Sequence, residues 1–335
     1  MKPRKRVEAA FRFEEPDALP YTIWYDDEVS ERLAEHYGDP DWANKFTNHI
    51  LRLTVEWEPK TPTGDNTYID AHGTEWQSGE LLHIIRTPLE SQSLKGYEFP
   101  DYEEPFDKAA APLLEQAEAG RNDQYVVFGY GFGIFERAWM LRGFENFFVD
   151  MVENPSFAEE LLDAVLEKQL AIMKKLAAMP IDGVIISDDF GDQRGVIIGP
   201  ERWRRFIKPR LTQLYQAAHD GGKTTLQHTC GNVMDIIPDL IDAGLDCLQC
   251  LQPEAMDVYD IKRKYGDRLR LWGGVGTQEL LPRGKPAQIC AEVHRLARKL
   301  GKGGGYVMTS AKPIRSDVPT ANAVAFLEAI RALHD

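Results

Sequence analysis

Eight short apolar runs rich in β-branched and aromatic residues alternate with longer helical patterns along this chain. No other feature constrains its fold as much. The runs fall at residues 21–25, 49–56, 125–128, 184–186, 224–227, 247–249, 269–272 and 306–308. Helical spacing of apolar residues fills 157–179, 200–219, 233–243, 257–264, 286–300 and 319–333. Several of these begin with Pro near the first turn, where its missing N–H costs nothing, and Gly244, Gly266 and Gly301 stand where helices stop. Eight such strand–helix units predict an α/β fold, a single (β/α)8 barrel of the TIM type over residues 1–335. A doubly wound open sheet is the alternative topology. Residues 57–122 break the alternation after the second strand and are too long for an ordinary loop. They read as an insertion with a hairpin (67–70 and 82–86) lying over the barrel mouth.

The 335 residues, 43% hydrophobic, can bury a core of that size. No run of 18 apolar residues occurs, and no apolar signal core follows the basic start at residues 1–6, so a cytoplasmic location is expected. The net charge of −14 argues against nucleic-acid partners. The basic run from Arg202 to Arg210 reads as a solvated helix face. Four cysteines, at 230, 247, 250 and 290, are too few and too uneven for a secreted disulfide framework. Cys247 and Cys290 read as core residues.

In such a barrel, function gathers just past the C-terminal ends of the strands. Those positions hold Trp24, Glu56, Tyr130, Glu136, Asp188, Asp189, His228, Cys230, Gln249, Cys250 and Lys312. The run His228-Thr229-Cys230-Gly231 offers an imidazole and a thiolate two residues apart, donors suited to Zn²⁺. A third ligand is required. Cys250 ends the next strand, and Glu136 and Asp189 are the carboxylate alternatives. Asp188, Asp189 and Glu136 are the candidate catalytic carboxylates, one of the two neighbouring aspartates facing the site and the other capping a turn. Trp24, Tyr130, Gln249 and Lys312 are the candidate substrate-binding residues, although a surface role is the plainer reading of Lys312. The Gly-rich run 129–133 lacks a dinucleotide fingerprint and reads as a tight turn.

Several stretches together resemble the uroporphyrinogen-decarboxylase-like superfamily. They are Arg12-Phe13-Glu14-Glu15-Pro16-Asp17-Ala18-Leu19-Pro20, Phe135-Glu136-Arg137-Ala138-Trp139-Met140-Leu141-Arg142-Gly143, residues 187–191 and 228–232, and residues 303–308 followed by Pro319-Thr320-Ala321-Asn322. The resemblance implies a (β/α)8 barrel. It also implies one of two activities, decarboxylation in the heme pathway or zinc-dependent methyl transfer with a corrinoid protein. Binding a tetrapyrrole with eight carboxylates calls for arginines near the first strand. Residues 21–28 contain none and carry three acids, which disfavours that branch. The methyltransferase branch uses a His-x-Cys-Gly pair like His228 and Cys230 as zinc ligands. Its third ligand is commonly a cysteine after the last strand, and residues 308–313 hold none. That departure moves the third ligand to Cys250, Glu136 or an aspartate and argues against thiol-methylating members. The expectation is a Zn²⁺-dependent methyltransferase moving a methyl group between a small O- or N-methylated substrate and a corrinoid carried by a partner protein. A lyase acting on a small carboxylic acid, or a metal-free binding protein of the same fold, is the alternative.

Overall fold

The computed structural model describes residues 1–55, 58–79 and 82–334, with the backbone alone at Tyr130. Glu56 therefore lies outside the described residues, as does the side chain of Tyr130. Helices α1 (Pro3–Phe11) and α2 (Asp27–Tyr37) precede strand β1 (Ile50–Thr54). Four short strands follow: β2 (Lys60–Gly64), β3 (Thr67–Asp70), β4 (Glu75–Gln77) and β5 (His83–Arg86). After α3 (Glu103–Gly120) comes β6 (Tyr125–Phe132), then α4 (Ile134–Arg142), α5 (Phe144–Glu153) and α6 (Pro155–Ala178). Strand β7 (Gly183–Ser187) leads through α7 (Pro200–Phe206) and α8 (Lys208–Asp220) to β8 (Thr224–His228). The chain continues through α9 (Ile237–Asp242), β9 (Cys247–Leu251), α10 (Val258–Tyr265) and β10 (Arg270–Val275). It ends with α11 (Leu280–Arg283), α12 (Pro286–Leu300), β11 (Tyr306–Ser310) and α13 (Thr320–Arg331).

Strands β1, β6, β7, β8, β9, β10 and β11 form one parallel sheet in that order. Residues 20–25 close the ring between its edges. Thr22 N donates to Met308 O (2.9 Å), Met308 N to Pro20 O (2.9 Å), and His49 N to Tyr21 O (3.0 Å). The expected first strand is thus in place but reduced to isolated bridges at Tyr21 and Tyr25. The reason is local: the Asn48 side chain takes the place of a neighbouring backbone, its Oδ1 accepting from Ile23 N (2.6 Å) and its Nδ2 donating to Ile23 O (3.2 Å).

The sheet is apolar on both sides, as a covered parallel sheet must be. Every residue of β9 and β11 is buried. Ile50, Val127, Ile185, Leu226, Cys247, Trp272 and Val307 join Val7, Phe11 and Tyr125 in a plug that fills the lower barrel. Cys247 is therefore core. Cys290 is only half-buried, beside the apolar stripe Ile289, Val293, Leu296 and Leu300 of α12. Arg204, Arg205 and Lys208 of the basic run pair with Asp239, Asp242 and Glu159 on neighbouring elements, and Arg210, which is buried, pairs with Asp163 and bonds to backbone carbonyls.

Residues 57–122 divide in two. Strands β2 to β5 form a four-stranded antiparallel sheet, so β3 and β5 do not pair directly with each other as a hairpin would require. Helix α3, by contrast, packs on β1, β6 and α6 as the barrel's own connection. Its interior Pro112 disguises it as irregular chain. Arg137 of α4 ties the small sheet to the barrel end through Glu58 Oε1 (2.5 Å), Asp70 Oδ2 (3.8 Å) and His72 Nδ1 (3.0 Å). Among the described residues, no helix is long and apolar enough to cross a membrane.

The closure at Tyr21 carries a pH dependence. His49 is buried against the Tyr21 and His334 rings, and burial pulls its pKa down to about 3. The unfolded chain therefore takes up this proton first. Stability from this group is complete above the unfolded pKa of about 6.5 and declines as pH falls toward 3, at about 1.4 kcal/mol per pH unit. Urea titrations at pH 7, 6 and 5 should show this fall, and His49→Gln should flatten it by about that slope.

Candidate metal centre and active site

The upper rim of the barrel gathers three donor atoms from two adjacent strands. His228 ends β8, Cys230 follows it, and Cys250 stands near the end of β9. One donor atom from each lies within 4.8 Å of the other two, an N,S,S set that could hold a metal ion. The Cys230 Sγ to His228 Nε2 separation is 3.7 Å. Two ligands about 2.0–2.3 Å from one tetrahedral ion stand roughly this far apart.

Local irregularity makes the convergence. Leu248 of β9 faces Leu271 of β10, but Leu251 faces Gly273, so Gln249 and Cys250 together oppose the single residue Trp272. This bulge interrupts the two-residue alternation of side chains and lets neighbouring Gln249 and Cys250 both serve the site. Gly231 has φ +74°, and a Cβ there would lie 2.3 Å from the Gly191 backbone. The turn after Cys230 therefore needs glycine.

His228 is oriented by its neighbours. Its Nδ1 pairs with Gln249 Oε1, leaving Nε2 toward the thiols. Lys312, which follows β11, brings Nζ within 3.1 Å of the same Nε2. It comes from the stretch where the family resemblance places a cysteine. Cys250 is held below the usual thiol range by a hydrogen bond from Cys230, with Lys312 adding attraction against burial. Cys230 moves the opposite way, raised by that shared bond and by burial. Burial lowers Lys312, but the charge on the two sulfurs outweighs it and leaves the ammonium above its ordinary range.

The carboxylates fall into separate roles. Asp188 is fully buried, and its two oxygens accept from Phe135 N (2.9 Å) and Glu136 N (2.8 Å), which caps α4. Asp188, a candidate catalytic carboxylate in the sequence, thus has both oxygens engaged by the start of α4. Gly133 allows the fit, since a Cβ there would meet Asp188 at 2.4 Å. Asp189 turns toward the site, accepting from Cys230 N (2.8 Å). Glu136 is buried, and burial together with the charges of Asp188 and Asp189 pushes its carboxyl well above the ordinary range.

A cavity of about 330 Å³ is linked to the cluster through Gln249, which stands in its wall with Trp24 and bonds His228. The sequence reading missed the other polar residue that matters there, Arg52 of β1. The signal was present in Ile50-Leu51-Arg52-Leu53: a charged residue at the inward phase of a parallel strand, two residues above Ile50 of the plug.

The family model for uroporphyrinogen decarboxylase (URO-D) matches residues 75–333, and this chain belongs to that family. A uroporphyrinogen decarboxylase from Psychromonas ingrahamii is 24% identical over 182 residues, covering 53% of this chain and 49% of that protein. The methylcobamide:CoM methyltransferase MtaA of Methanosarcina barkeri is 25% identical over 178 residues, covering 53% of this chain and 50% of that protein. The chain thus spans about half the length of these curated relatives. A solved methyltransferase from Methanosarcina mazei superposes with a TM-score of 0.73 at 21% identity, covering all of both chains, and shares the fold.

Proposed function

We propose that this chain is a zinc-dependent methyltransferase that moves a methyl group between a small O- or N-methylated substrate and a corrinoid carried by a partner protein. The observation that carries this reading is the meeting of His228, Cys230 and Cys250 donor atoms, with Gln249 joining His228 to a cavity. One imidazole and two thiols leave a fourth tetrahedral position for a substrate atom. The similarity to a methylcobamide:CoM methyltransferase adds support.

Zinc bound there would act as a Lewis acid on the substrate heteroatom. The chain's residues supply the rest. Gln249 fixes the imidazole so that Nε2 faces the sulfurs. One Nε2 lone pair cannot serve both Lys312 and a metal, so with a metal held by His228 the Lys312 ammonium would be free to meet a substrate group. Asp189 holds the Cys230 backbone. Glu136, kept protonated, donates its proton to the heteroatom that loses the methyl group, and Asp188 positions it by capping α4. The test is methylation of Co(I) cobalamin by a panel of methoxy-aromatics and methylamines, followed by absorbance. Formation of methylcobalamin that depends on the chain and on zinc is the expected outcome. A blank across the whole panel would remove the support for methyl transfer.

A second reading, decarboxylation of a small carboxylic acid, is favoured by two cations, Arg52 in the cavity wall and Lys312 beside His228. It predicts carbon dioxide release that disappears in Lys312→Ala.

A further inference from the structure

The methyl-transfer reading leaves Arg52 unused. Residues Ile50, Arg52 and Thr54 point into the barrel at successive levels of β1, with Ile50 in the apolar plug and Arg52 on the floor of the cavity above it. One face of the guanidinium is covered by the Trp24 ring, 4.5 Å from its centroid. Its Nε is buried with no hydrogen-bond partner, and among the described residues no carboxylate pairs with it. A second, independent atom is in the same condition. Thr309 of β11, only 1% exposed, lines the cavity with its Oγ1 buried and unbonded.

A half-buried guanidinium whose buried Nε lacks a partner, and a fully buried hydroxyl without one, are each costly to the fold. They are explained when a bound molecule completes them. The planar donor fork of an arginine matches a carboxylate in geometry and charge, and Trp24 already holds that fork flat. The opposite wall is Trp272, whose indole N–H is already donated to Thr22 Oγ1 (3.0 Å). It therefore offers the cavity an apolar surface. The chain's net charge of −14 makes a generic anion site improbable elsewhere, so a local cation is what admits an acid here.

We propose that the substrate of this site carries a carboxylate bound by Arg52 and Thr309, with an apolar body lying against Trp24 and Trp272. The inference rests on the methyl-transfer reading only in assigning this cavity to the substrate. Gln249, which both lines the cavity and holds His228, would put the reacting end of such an acid beside the metal cluster.

The probes are benzoate and its neutral counterpart benzamide, measured by calorimetry on the zinc-loaded chain, together with bromide and benzoate soaked into crystals. Benzoate should bind about tenfold or more tightly than benzamide, and its carboxylate or the bromide should lie against Arg52. Arg52→Met should bring benzoate to the level of benzamide while zinc content and near-ultraviolet circular dichroism stay as in the parent. Arg52→Lys should recover part of the difference. Equal binding of acid and amide, undiminished binding by Arg52→Met, or an empty cavity in both soaks would each overturn the proposal. His228→Ala separates the two readings. In this variant, loss of zinc with the benzoate preference intact is the expected result; the same preference in a parent chain that cannot be loaded with zinc would sink the metal mechanism alone, and a zinc-loaded parent indifferent to benzoate would sink the acid site alone.

Discussion

Chains carrying His228→Ala, Cys230→Ala or Cys250→Ala are expected to emerge from purification with almost no zinc, whereas the parent carries close to one ion. Removing groups that merely orient a ligand costs roughly 10–100-fold in metal affinity, and removing a ligand should cost more. The three donor atoms sit within one small volume, so no single loss can be covered by the other two. Cys250→Ala is the most informative of the three, because Cys250 is the ligand that depends on the β9 bulge. Elemental analysis beside a circular dichroism spectrum separates loss of metal from loss of fold. Retention of zinc in Cys250→Ala would pass the third position to Glu136 or Asp189.

Glu136→Gln is expected to keep its zinc and lose about 10²–10⁴ in the rate of methyl transfer, the usual contribution of a general acid. Glutamine preserves shape and hydrogen bonding but has no proton to give. The environment of Glu136 argues for this role, since burial and two neighbouring aspartates favour the neutral acid that a leaving heteroatom needs. Single-turnover methylation of Co(I) cobalamin is the measurement. An unchanged rate would make Glu136 a packing residue of α4.

Much of this was legible in the chain because barrel geometry turns strand ends into site positions. His228, Cys230, Gln249 and Lys312 lie at such ends and meet in space. Depth along β9 also separates Cys247 from the site, since it points into the plug two residues below Gln249. Alternation fails at the next step. Cys250 reaches the cluster only through a bulge that depends on the register of β10, a non-local property. Asp188 and Asp189 could not be told apart for a similar reason, because the cap that engages Asp188 begins 50 residues earlier, at the start of α4. The first strand is hidden by an Asn48 side chain doing the work of a backbone, and α3 by an internal proline. Arg52 lies in the middle of β1, below the strand ends where site residues are expected, and one strand away from residues 21–28, where the family's arginines are expected.

X-ray absorption at the zinc edge tests the metal centre most directly. The account predicts two sulfur neighbours at about 2.3 Å and one imidazole nitrogen at about 2.0–2.1 Å, with a fourth light atom that changes when substrate binds. A shell of nitrogen and oxygen alone, or a folded chain that cannot be loaded with zinc, would contradict it.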